Sequence, residues 1–153
     1  METGESVAGG DAVGHDAHVL VCDDTDSIRA LLRLNLELEG YQVSEALSGK
    51  DALDQLRRAE RVPDLVTLDA LMPQGDGWQA VREIRADARL ADLPVVMVTA
   101  SVQNHDRDRA VRAGVDAFVA KPFDPEQLLS VIERLISVRR SRVAVDTSLE
   151  SSG

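Results

Sequence analysis

Asp69 stands at the end of an apolar run, Asp64-Leu65-Val66-Thr67-Leu68, and is followed by Ala70-Leu71-Met72-Pro73-Gln74-Gly75-Asp76-Gly77. A strand that delivers one carboxylate to its tip, followed by a Pro/Gly loop, is how an open α/β sheet builds a site. Asp23-Asp24 makes a second acidic tip after His18-Val19-Leu20-Val21-Cys22. Thr99 closes a third run, residues 93–98, and Lys121 closes a fourth, residues 117–120, just before Pro122. Three carboxylates at one edge repel one another unless a cation sits among them. Carboxylates with a backbone carbonyl and waters suit Mg²⁺, a hard ion that keeps oxygen ligands. Aspartate is also a competent phosphoryl nucleophile, forming an acyl phosphate. Catalysis of such a transfer is mainly positioning and charge neutralisation. Lys121 would neutralise one side of the phosphoryl group, and the Thr99 hydroxyl would donate to one of its oxygens.

Each of these residues has a plainer explanation when taken alone. Asp23-Asp24 could be a helix cap with a solvated neighbour, Asp69 the start of a turn, and Thr99 an ordinary strand end. Lys121 could be a surface lysine, but it is one of two lysines against fifteen arginines and it falls at a strand tip. The joint arrangement is far more specific than any member.

Strand-like and helix-like patterns alternate so as to present these tips. Residues 19–22 read as a buried strand. From 26 to 39, Ile28, Leu31, Leu32, Asn35 and Leu38 recur at helical spacing, with Leu34 and Leu36 outside that face, and Gly40 stops the helix. Residues 41–46 alternate with period two, as a half-exposed edge strand would. Residues 48–60 are helical with Ala52, Leu53 and Leu56 inward; 64–69 form a strand; 76–86 form a helix with Trp78, Val81 and Ile84 on one face. Then come a buried strand at 94–99, a very polar helix at 104–113 stopped by Gly114, and a strand at 115–121. Asp124-Pro125-Glu126-Gln127 is a strong helix start. That helix buries Leu128, Val131, Ile132 and Leu135 and ends near Arg139-Arg140, cations suited to a helix C-terminus. Five βα units make a parallel sheet with helices on both faces. Periodicity gives the alternation and leaves the strand order open.

The bulk properties agree with one soluble domain. The chain has 153 residues, is 44% hydrophobic and 29% charged, and carries a net charge of −10. That charge disfavours nucleic acid and anionic membranes. Cys22 is the one cysteine, so neither a disulfide framework nor a thiolate metal site is expected, and it reads as a buried small hydrophobe. There is no basic, apolar secretory leader and no run near the roughly 20 apolar residues of a membrane span, so a cytoplasmic protein without membrane insertion is expected.

The chain resembles a two-component response-regulator receiver domain of the chemotaxis-receiver type. The resemblance rests on Val21-Cys22-Asp23-Asp24, on Leu68-Asp69-Ala70-Leu71-Met72-Pro73 with Asp76-Gly77, on Val98-Thr99-Ala100 and on Lys121-Pro122-Phe123. The intervals fit as well: 30 residues from 69 to 99, and 22 from 99 to 121. The match covers about residues 18–138. It implies an α/β, flavodoxin-like three-layer sandwich with a five-stranded parallel sheet in order 2-1-3-4-5 and five helices. The Gly-, Ala- and acid-rich start without periodicity reads as a disordered tail at 1–17 and the polar end as a flexible tail at 140–153, with the receiver domain at 18–139. Asp69 would accept a phosphoryl group from a sensor histidine kinase or a histidine phosphotransfer protein. Asp24, Asp69 and the Leu71 backbone carbonyl would ligate Mg²⁺, with Asp23 acting largely through water. Thr99, Ala100 and Lys121 would surround the phosphoryl group, and the Lys121–Pro122 bond is often cis in this family. Thr99 and Phe118 would form a switch pair, the ring turning inward as Thr99 moves toward the phosphoryl group.

Two departures bear on output and lifetime. Phe118 has no hydroxyl where the family often has tyrosine. Leu71 and Ser101, two residues after Asp69 and Thr99, offer no carboxylate or amide to orient a hydrolytic water, so a persistent acyl phosphate is expected. The expected output is a contact with a downstream protein target, from a monomer or a phosphorylation-dependent dimer. The residues after 139 are too few for a helix-turn-helix output domain, and no direct nucleic-acid contact is expected. The first helix is the usual docking element in this family, and Leu34 and Leu36 would serve there. The chain is expected to be a phosphoacceptor and not an enzyme acting on other molecules. A dehalogenase-type phosphatase would need a second aspartate where Leu71 stands. A nucleotide or flavin site would need a Gly-rich loop after the first strand. The remaining alternative is a receiver-fold scaffold that works without phosphorylation.

Overall fold

The computed structural model describes residues 16–72, 77–100 and 104–152, with the backbone alone at 104, 105 and 143–152. Expectations for residues 1–15, the 73–76 turn, Ser101, Gly153 and the His105 side chain fall outside it. The chain alternates β1 (His18–Cys22), α1 (Asp26–Leu38), β2 (Gln42–Ala46), α2 (Gly49–Arg58), β3 (Leu65–Leu68), α3 (Gly77–Ala86), β4 (Val95–Thr99), α4 (Asn104–Ala113), β5 (Ala117–Ala120) and α5 (Pro125–Ser152). All four strand pairings are parallel and the order is β2-β1-β3-β4-β5, that is 2-1-3-4-5. The crossover direction therefore reverses between β1 and β3. In such sheets the crevice outside the carboxyl ends at that point is where ligands bind.

Period-two alternation explains why inner strands that are buried on both faces read as unbroken apolar runs. Leu20, Cys22, Val66, Leu68, Val95 and Met97 face one core, which is closed by Leu53 and Leu56 of α2, Trp78, Val81 and Ile84 of α3, and Ala110 of α4. Val19, Val21, Leu65, Val96 and Val98 face the other, which is closed by Leu32 and Leu36 of α1 and Leu128, Ile132 and Ile136 of α5. The Ser48 hydroxyl caps α2 by accepting from the Asp51 N–H at 3.0 Å. Gly40 and Gly114 take φ of 94° and 92° at the ends of α1 and α4, where a Cβ would be strained. Arg85, at the end of α3, donates to the carbonyls of Gly114, Ala91 and Leu93 and to Asp116, so one guanidinium ties two loops together at the end of the sheet opposite the acidic tips.

Two expectations are corrected. The inward face of α1 is rotated: Arg29, Leu32 and Leu36 are buried, whereas Leu31 is 42% and Leu38 75% exposed. A buried arginine heads that face, and apolar counting passes over it. The last helix does not stop near residue 139 but continues to Ser152. Arg140 does not mark an end, because it forms ion pairs with Asp16 at 3.2 Å and Asp64 at 3.6 Å. The core also begins within the expected tail, since Ala17 is fully buried and its carbonyl accepts from the Gln42 N–H.

Candidate functional site

β1 and β3 are central strands, so the residues that follow them emerge at the crevice. One carboxylate oxygen from each of Asp23, Asp24 and Asp69 lies within 4.8 Å of the others. Asp23 and Asp69 are buried and Asp24 is exposed. Each buried carboxylate is used twice. Asp23 Oδ1 accepts from the Thr25 N–H and Asp69 Oδ1 from the Leu71 N–H, both at 2.9 Å, so local turns fix their orientation. Their Oδ2 atoms converge on the Lys121 ammonium, at 2.7 Å from Asp23 and 2.8 Å from Asp69. These are charge-assisted bonds at the short end of the range. Burial alone would pull the Lys121 pKa down, but the hydrogen bonds and charges of Asp23 and Asp69 outweigh it and hold the amine above its ordinary value. The ammonium is the counter-ion that lets two carboxylates stay buried side by side.

Two backbone contacts set this geometry. Gly77 opens α3 directly against the Asp69 carbonyl oxygen, and a Cβ at that position would overlap it. Arg29 Nη1 donates to the Asp23 carbonyl at 2.8 Å, while its other nitrogens reach Glu45 and Asp26. The Arg33 guanidinium, then Arg29, holds the Glu45 carboxyl below its usual range. Arg29 carried no sequence signal, being one of fifteen arginines on a helix; Gly77 was visible only as part of an Asp-Gly loop.

The remaining predicted residues lie on the neighbouring strand ends and loops. Thr99 is fully buried at the tip of β4, and its carbonyl accepts from the Lys121 N–H at 2.9 Å. Ala100 is exposed beside it. The Leu71 side chain is 59% exposed at the rim. The Lys121–Pro122 bond is cis. Phe118 pairs in register with Met97, and Thr99 with Ala120, so Phe118 lies diagonal to Thr99 on the same face of the sheet. Burial, and next the charge of Asp23, pushes the Cys22 thiol up, and the thiol donates to the Ser48 carbonyl beneath the site.

These residues fit a hard divalent cation. The donor set is all oxygen, carries a formal charge of −3 and opens to solvent on the Asp24 side.

The model of the response regulator receiver domain matches residues 19–133. The chain belongs to that family. Among curated proteins it is 36% identical over 118 residues to RpaA of Synechocystis, a DNA-binding dual master transcriptional regulator, covering 77% of this chain and 48% of that protein. It is 36% identical over 135 residues to the phosphate regulon regulator PhoB of Escherichia coli, covering 88% of this chain and 58% of PhoB. The chain thus spans about half the length of these relatives. Among solved structures, a response regulator from Chloroflexus aurantiacus aligns with TM-score 0.75 at 30% identity, over 80% of this chain and 98% of that one. Chemotaxis response regulator CheY4 of Vibrio cholerae aligns with TM-score 0.72 at 30% identity, over 78% and 98%. A receiver domain implies a histidine kinase or phosphotransfer partner. Among the described residues, no helix is long and apolar enough to cross a membrane.

Proposed function

We propose that Asp69 accepts a phosphoryl group from a phosphohistidine donor and that the acyl phosphate switches a protein-binding face of this domain. The observation that carries this reading is the convergence of Asp23 and Asp69 on Lys121 at the switch point of the sheet. Asp69 Oδ2 attacks phosphorus, and the P–N bond to the donor imidazole breaks with its electron pair leaving on nitrogen. Lys121 thereby loses Asp69 Oδ2 as one of its two carboxylate partners, and the ammonium moves that hydrogen bond to a phosphoryl oxygen. Thr99, on the adjacent tip, closes on another phosphoryl oxygen through its hydroxyl. Asp23, Asp24, Asp69 and the Leu71 carbonyl are the groups that would hold Mg²⁺, which supplies charge neutralisation of the transferring phosphoryl oxygens. The protein is on this reading a self-phosphorylating acceptor, not an enzyme acting on a separate product. Its output is a contact with a downstream protein.

Intact-protein mass after incubation with Mg²⁺ and a small phosphodonor tests the proposal, with Asp69→Asn as control. A one-phosphoryl gain in the wild type that is lost in the control is the expected result. No gain from either a small donor or a phosphohistidine protein, with Mg²⁺ binding intact, would leave a scaffold that does not use the site.

A further inference from the structure

α4 is held to the domain unlike the other helices. Its described side chains bury only Asp106 and Ala110, whereas α3 buries Gly77, Trp78, Ala80, Val81 and Ile84. Two exposed arginines of α4 instead lie over aromatic rings. The Arg107 guanidinium carbon is 5.2 Å from the centroid of Phe118 on β5, and that of Arg109 is 4.5 Å from the centroid of Trp78 on α3. A guanidinium over a ring face is attracted by the ring quadrupole at these distances.

The two rings differ in freedom. Trp78 is buried, so Arg109 clips α4 to a fixed anchor. Phe118 is half-buried, so its ring has room to move. In the structure the ring packs partly buried against the core while its face meets the exposed Arg107 guanidinium. Turning toward Thr99, on the same face of the sheet, takes that face away from Arg107.

We infer that Arg107 is a positioning residue that latches Phe118 in its half-buried position in the unphosphorylated domain, through a cation–π contact in place of the hydroxyl that phenylalanine lacks. The inference rests on the proposed switch role of Thr99 and Phe118. By linkage, a contact made only in the resting state raises the concentration of phosphoryl group needed to populate the other state. Releasing the latch also frees the Arg107 guanidinium to reorient on α4, while Arg109 keeps the helix attached.

The test uses the full chain carrying 4-fluorophenylalanine. There are two phenylalanines, Phe118 and Phe123, and Phe118→Leu assigns the ¹⁹F resonances. The first readout needs no phosphoryl group: the Phe118 resonance is expected to move in Arg107→Ala and to stay near wild type in Arg107→Lys, which keeps the cation. The second is a titration with beryllium fluoride, a phosphoryl analogue, in Mg²⁺. Arg107→Ala is expected to bind it about two- to fivefold more tightly, the range of one exposed cation–π contact. In a Phe118→Leu background the same substitution should have no effect. An unmoved resonance overturns the latch, and so does a lower melting temperature with unchanged fluoride affinity, which would make Arg107 merely structural. If the resonance moves but wild type does not respond to the analogue, the latch stands and the phosphorylation reading fails.

Discussion

At the scale of single residues, Lys121 decides whether the acidic pair can stay buried. Its pKa is raised above the ordinary value of 10.5, so its contribution to stability is fully present below that pH and is lost as pH rises through the folded value. Lys121→Met leaves Asp23 and Asp69 without their shared cation. We expect a loss of about 3–5 kcal/mol at neutral pH without divalent ions, the usual cost of removing one partner from a buried pair. Denaturant unfolding of wild type and variant at pH 7, 9 and 11 should show that gap holding and then narrowing. A gap that stays constant to pH 11 would mean the methylenes, not the charge, carry the effect. On the proposed function, Leu71 at the rim would bear on the lifetime of the acyl phosphate instead. It offers hydrocarbon where an amide would hold a water near the acyl phosphate. Leu71→Asn should shorten the phosphorylated state severalfold, followed by loss of the added mass with time. An unchanged or longer lifetime would remove Leu71 from the account.

At the scale of elements, the site depends on how closely α3 starts against the end of β3. Gly77 leaves no room for a Cβ beside the Asp69 carbonyl, and the obstacle is backbone, which cannot swing aside as a side chain can. Gly77→Ala should therefore cost about 1–3 kcal/mol, as overpacking does, and weaken Mg²⁺ binding as well. Tryptophan fluorescence is the measure, because Trp78 adjoins the substituted residue. Normal Mg²⁺ binding with normal stability would show that the turn has slack. The strands, their tips and the helix faces of α2 and α3 were legible in the sequence because apolar periodicity is a local signal. Burial on α1 was misread because Arg29 carries a charge yet spends three nitrogens on Asp23, Glu45 and Asp26. The end of α5 was misread because Arg139-Arg140 satisfies a local rule for helix ends, while the partners of Arg140 lie at 16 and 64, far away in sequence. Asp23, Asp24, Asp69, Thr99 and Lys121 were readable as types at strand tips. The convergence of Asp23 and Asp69 on one ammonium was not, since it requires the strand order, and periodicity does not supply that.

At the scale of the whole molecule, a net charge of −10 makes two kinds of cation effect easy to confuse. Any salt relieves diffuse repulsion among the surface carboxylates, and that relief grows smoothly with ionic strength. A bound ion acts differently: it stabilises by mass action, about 2.7 kcal/mol at a hundred times its dissociation constant. The acidic tips provide a control that separates the two. Asp24 is the exposed member of the cluster and is not among the acceptors of Lys121 in the resting site. Asp24→Asn should therefore leave the metal-free fold and its response to NaCl intact while removing one ligand charge. Melting temperature measured in MgCl₂ and in NaCl at matched ionic strength should diverge for wild type, with Mg²⁺ adding a further increment. In Asp24→Asn that increment should shrink or vanish while the NaCl curve stays in place. If the two salts give the same curve in wild type, the −3 cluster is no metal site and its charge is managed by Lys121 alone. If they diverge equally in wild type and variant, the ion binds elsewhere on the acidic surface, and the role proposed for Asp24 falls.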